Sequence, residues 1–99
     1  MTADAPIRRA AQEAQQLLDE MYAVGAPSSG SALDQAGLRD GLAIVDDYLT
    51  HGEAGVAFEH LLYMISEPQL RLSRPSLADV AQAASLLDMS SHVANLHLA

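Results

Sequence analysis

The chain contains no cysteine, which excludes a disulfide framework, a thiolate-ligated zinc site and thiol chemistry. It contains no lysine either. Five arginines face 13 Asp and Glu, for a formal charge of −8, and this balance argues against nucleic acid and anionic membrane as direct partners. A basic protein is the better-matched partner. No run approaches the roughly 20 apolar residues of a membrane span, and the opening "MTADAPIRRAAQEAQ" has no apolar signal core. The expectation is a soluble, cytoplasmic protein. Enzyme motifs are missing too: there is no phosphate-binding glycine loop, no nucleophile elbow and no HExxH, and the Ser and His residues define no triad by spacing. His51, His60, His92 and His97 do not pair at i, i+4 on one helix, so no metal site is expected. This reading assigns the chain no catalysis, no cofactor and no metal.

What is present is helical periodicity. With 99 residues, 49% of them hydrophobic, the chain fits one domain, 1–99, able to bury a modest core without staples. Ile7, Ala10, Ala11, Ala14, Leu17, Leu18 and Met21 recur at helical spacing in a first helix from Ala5 to Val24, with Asp4 as N-cap and Gly25 and Pro27 at its end. "GAPSSGSA" reads as a flexible connection. A second helix from Leu33 to Thr50 carries the stripe Leu38, Leu42, Val45 and Leu49, and His51-Gly52 suits a C-cap so short that the next helix must return antiparallel. That third helix, Glu53 to Ser66, buries Ala57, Phe58, Leu61, Leu62 and Ile65 and stops at Pro68. Gln69 to Ser73 is an extended connector pinned by Leu70 and Leu72. Ser73 or Ser76 then caps a fourth helix with Leu77, Val80, Ala81, Ala84 and Leu87 inward, "SLAD" resembling a capping box. The segment after Met89 has no clear pattern. With no strand pattern or repeat, the predicted fold is all-α, a small antiparallel four-helix bundle.

The carboxylates then stand out. Asp46 and Asp47 lie in the last turns of the second helix, where the helix dipole disfavours acids. One reading holds them there for a partner; the other pairs them with Arg8 and Arg9, which an up-and-down bundle brings to the same end. Asp40 and Asp47 fall opposite the Leu stripe, so both should be exposed. Glu53 complements the positive start of the third helix. Glu59 and Tyr63, at i and i+4, share its outer face, and an exposed Tyr beside acids is an interface composition. Glu67 extends the same acidic side. A helix-turn-helix reading of "YLTHGEAG" fails on charge, because a recognition helix carrying Glu53, Glu59 and Glu67 and no basic residue repels phosphate.

The segment "DGLAIVDDYLTHGEAGVAFEHLLYMISEPQLRLS", Asp40 to Ser73, resembles immunity proteins of the Maf polymorphic-toxin type and the small helical immunity proteins of contact-dependent growth inhibition. The shared features are an acidic helix ending in His51-Gly52-Glu53, then Gly55-Val56-Ala57, Glu59 with Leu61 and Leu62, and Leu72-Ser73 leading into a capped helix. The resemblance implies a cytoplasmic inhibitor that binds the C-terminal toxin domain of a secreted effector and protects the producing cell, with a basic nuclease as the expected toxin. Charge agrees with that, since a basic nuclease cleft and an acidic helical protein are complementary. The candidate partner-binding residues are Asp40, Asp46, Asp47, Glu53, Glu59, Tyr63 and Glu67. The alternative is a small helical adaptor or dimerising module, which an exposed apolar face would favour.

Overall fold

The first helix, α1 (Asp4–Val24), is the longest element and the hub of the computed structural model, which describes residues 2–94. Ile7, Ala10, Ala11, Ala14 and Leu18 are all fully buried along it. Three alanines in this stripe remove side-chain bulk, so neighbours approach the α1 backbone from more than one side. Helices α2 (Gly41–Thr50), α3 (Ala54–Ser66) and α4 (Arg74–Leu86) all pack on α1, while α2 packs on α3 and a short α5 (Ser90–Ala94) on α4. The radius of gyration is 12.8 Å, close to the ~13 Å of a compact chain of this length. The all-α bundle is thus present, arranged around a central helix.

Directions follow from contacts between side chains far apart in sequence. Arg8 meets Asp46 while Gln15 meets Leu42, so α2 runs antiparallel to α1. Arg9 meets Asp79 while Glu13 meets Ser73, so α4 does too. The His51-Gly52 turn returns α3 against α2 as expected. Gly52 has φ +75°, and the Glu53 N–H reaches back to the Tyr48 carbonyl at 2.8 Å, closing the end of α2 with a left-handed residue. Beyond α3, Leu70 and Leu72 are buried and tie the connector to the core. Ser73 caps α4, its hydroxyl accepting from the Ser76 N–H.

Several expectations need correction. The second helix does not begin at Leu33. Ala32–Asp34 forms one 3-10 turn, Gln35 is extended, and Gly37 sits at φ +85°, which breaks any continuous helix before Gly41. Leu38 is still fully buried, so the apolar spacing placed it in the core correctly while the backbone around it is irregular. Ala3, not Asp4, is the N-cap of α1, and Asp4 stands in the first turn where its charge complements the dipole. Met21 is exposed, and on α4 Ala83 is buried where Ala81 faces out. Asp79 of "SLAD" reaches Arg9 instead of its own helix start. After Met89, Ser90–Ala94 is helical; His97 lies outside the described residues.

At Gly41, an added Cβ would come within 2.6 Å of Met64, whose side chain is fully buried. The α2–α3 crossing therefore depends on the missing side chain there. The N-terminus of α2 is capped from outside. The Gln15 side chain, 9% exposed, accepts from the Leu42 N–H at 2.9 Å and donates to the carbonyls of Leu38 and Arg39 at 3.4 and 3.1 Å, while Asp40 makes no side-chain cap.

Candidate functional site

The segment between α1 and α2 is a strap held by side chains. Tyr22 Oη donates to the Leu33 carbonyl and Tyr63 Oη to the Ala36 carbonyl, both at 2.8 Å, and His60 Nε2 lies 3.0 Å from the Gly37 carbonyl. The Arg39 guanidinium sits 4.1 Å above the Tyr22 ring, and burial pushes the Tyr22 phenol up in pKa. Carbonyls that would otherwise face water are thereby satisfied by α1 and α3. Tyr63 is half-buried against the strap, not presented on an open outer face with Glu59. Its hydroxyl has a structural task.

The other candidate residues fall into separate places. Asp40, immediately before α2, and Glu67, immediately after α3, lie at one end of this antiparallel pair, and both are exposed. Glu53 lies at the opposite end, roughly 20 Å from Glu67 along the 13-residue α3, while Asp46 and Asp47 stand on the second half of the 10-residue α2, about 10 Å of helix rise from Asp40. Glu59 is exposed one and a half turns into α3 from Glu53. Asp40, Glu53, Glu59 and Glu67 have no ion pair among the described residues.

Asp46 is different. Its Oδ1 accepts from Arg8 Nε at 2.7 Å, so the pairing with the start of α1 holds for this Asp. Arg9 does not join Asp47; it grips Asp79 on α4 through Nε and Nη2 at 2.9–3.3 Å. Asp47 instead stands 3.5 Å from His51 Nδ1, which also lies 2.8 Å from the Asp47 carbonyl. That carbonyl, and then the Asp47 carboxylate, raise the His51 pKa above its usual 6.5. When protonated, His51 in this last turn offsets the dipole cost of the neighbouring acid.

Glu53 and Glu59, three residues to either side of Val56, flank that 43% exposed side chain at the start of α3, and Asp47 is exposed on α2 near the same turn. An apolar side chain flanked by exposed carboxylates can contact a basic protein through both charge and desolvation. Reading α3 for its acids missed Val56. Its signal was an apolar residue on the same side as Glu53 and Glu59, away from the stripe of Ala57, Leu61 and Ile65. Among the described residues, no group of three or more His, Asp or Glu comes close enough to hold a metal, and no helix is long and apolar enough to cross a membrane. Comparison with protein-family models, with curated proteins and with solved structures finds no match.

Proposed function

We propose that this chain is an immunity protein, a cytoplasmic inhibitor that neutralises a basic toxin domain, a nuclease by charge, through stoichiometric contact at the α2–α3 turn. The observation that carries the reading is the pair of exposed carboxylates Glu53 and Glu59, neither in an ion pair among the described residues, flanking Val56 on a chain of net charge −8. Such a surface accelerates encounter with a cationic cleft and rejects polyanions. The resemblance of Asp40 to Ser73 to immunity proteins supports the same assignment. Asp46 is set apart from the contact residues because Arg8 already occupies it.

The test is co-expression with the toxin domain encoded beside it, followed by co-purification and affinity measurement. Glu53→Gln with Glu59→Gln is expected to weaken binding at least tenfold while lowering the melting temperature by no more than the few degrees that the Glu53 charge contributes at the start of α3. Asp46→Asn is expected to leave affinity unchanged. A toxin that binds the double variant as tightly as the parent would move the interface elsewhere. One observation favours the adaptor or dimerising reading: Met21 and Val24 form an exposed apolar end on α1.

A further inference from the structure

We propose that the C-terminal end of α1 and the α3–α4 connector form a self-complementary docking surface, and that its occupant is a second copy of this chain. The inference is independent of the toxin-binding patch, which lies on α3. It begins with a length mismatch. Helix α1 has 21 residues and α4 has 13, so α1 rises ~31 Å and α4 ~20 Å. The antiparallel α4 starts at Ser73, whose N–H and hydroxyl both donate to the Glu13 carboxylate at 2.7 and 2.6 Å. The side of α1 that faces α4 continues past this point through Leu17, Glu20, Met21 and Val24, and among the described residues no helix covers it there. Among the described residues, Gln69, Leu70 and Arg71 of the connector stand opposite, leaving an open groove of about 410 Å³.

This groove pairs a knob with a hole. Val24 is 90% exposed and Met21 36%, two of the large apolar residues that the fold leaves in water. The α1 wall carries Glu20 and the connector wall carries Arg71, and neither has an ion pair among the described residues. A two-fold axis needs one patch that complements itself. Opposing two copies places the apolar end of each α1 in the other's groove, and brings Glu20 of each copy to the partner copy's connector. Local charge then matches in both directions, while the −8 carried by each copy opposes the approach and keeps the association weak. A foreign segment would have to supply the same apolar residue between one cation and one anion; a second copy supplies it by symmetry. The exposed area limits the strength. Stable dimers bury at least ~1,200 Å² in total, more than two turns of helix and three connector residues provide, so the association is a weak one, with dissociation in the range of about 10 µM to 1 mM.

Sedimentation equilibrium of the full chain tests this. The weight-average mass is expected to climb from monomer toward dimer between ~20 µM and ~1 mM. Val24→Asp, at a site 90% exposed, is expected to hold the chain monomeric throughout while lowering the thermal melt by no more than the few degrees that an acid in the last turn of α1 costs. Glu20→Arg alone and Arg71→Glu alone are each expected to shift the dissociation constant upward several-fold, and the two together to restore it. A parent chain that stays monomeric at ~1 mM overturns the proposal and leaves the groove to a foreign segment. Self-association that survives Val24→Asp unchanged overturns it as well, and failure of the charge swap to restore dimerisation overturns the reciprocal pairing. None of these outcomes bears on the Glu53 and Glu59 variants, so the two readings fail separately.

Discussion

Gln15 shows how much one side chain decides. It is a polar residue in the buried stripe of α1, and it serves three backbone groups at the start of α2 that have no other capping side chain. Gln15→Leu keeps the bulk but leaves a part-buried N–H and two carbonyls without it, which is expected to cost about 1–3 kcal/mol in urea denaturation. Gln16→Leu on the exposed side of the same helix is the control, expected within about 0.5 kcal/mol of the parent. His51 gives a pH dependence at the same scale. Its folded pKa is raised, so protonation favours the native state; the contribution is fully present below the unfolded value of about 6.5 and is lost as pH rises through the folded pKa. The melting-temperature advantage of the parent over His51→Asn should therefore be larger near pH ~5.5 than near pH ~8.5. An advantage that grows with pH would remove the Asp47–His51 contact from the account.

At the scale of elements, three helix ends close in the same way. The left-handed residue is Gly52 after α2, Gln69 after α3 and Asp88 after α4, each followed by a six-to-one bond: Glu53 to Tyr48, Leu70 to Ile65, and Met89 to Ala84. Only the first is a glycine, and a side chain at positive φ costs roughly 1 kcal/mol. Gln69→Gly is expected to raise the melting temperature by a few degrees, and a loss of stability would show that the Gln69 side chain makes up for its own strain. Glu13 joins α1 to α4 at a related point. Burial pushes its carboxyl up, but the Ser73 hydroxyl and N–H outweigh this and hold it below its usual 4.5. The Arg8–Asp46 pair links α1 to α2 with both side chains 41% and 55% exposed. A double-mutant cycle of Arg8→Ala and Asp46→Asn should return a coupling of about 0.2–1 kcal/mol, the range of measurable exposed pairs. A coupling indistinguishable from zero would reopen Asp46 as a contact residue.

Across the whole molecule, the net charge of −8 is spread over surface helices whose arginines are largely committed, Arg8 and Arg9 in ion pairs and Arg39 on an aromatic ring. The remaining field is negative. Association with a basic toxin domain is therefore expected to slow markedly between ~50 mM and ~500 mM salt, as the Debye length contracts from above 10 Å to a few Å. Stopped-flow rates should show the slope flattening in the Glu53→Gln, Glu59→Gln variant. A rate constant indifferent to salt would point to the apolar end of α1 as the contact instead.

Sequence periodicity alone determined the helical class, because apolar residues at i, i+3, i+4 and i+7 can share a buried side only on a helix. Ile7, Leu18, Val45, Phe58, Leu61 and Val80 were legible in the core for that reason, and Gly52 and Ser73 marked helix boundaries through local chemistry that needs no distant partner. The exposure of Asp40, Asp47 and Glu59 was legible on the same grounds. Tertiary structure decided what depends on residues far apart in the chain. The start of α2 is set by Gln15, 27 residues before the N–H it caps, and by the close approach of Gly41 to Met64. Tyr63 turns from a surface residue into a clamp because Ala36 offers it a carbonyl. Of two adjacent and chemically identical acids, Asp46 faces Arg8 and Asp47 faces His51, a difference of about 100° around the helix that means nothing until a second helix is packed beside it.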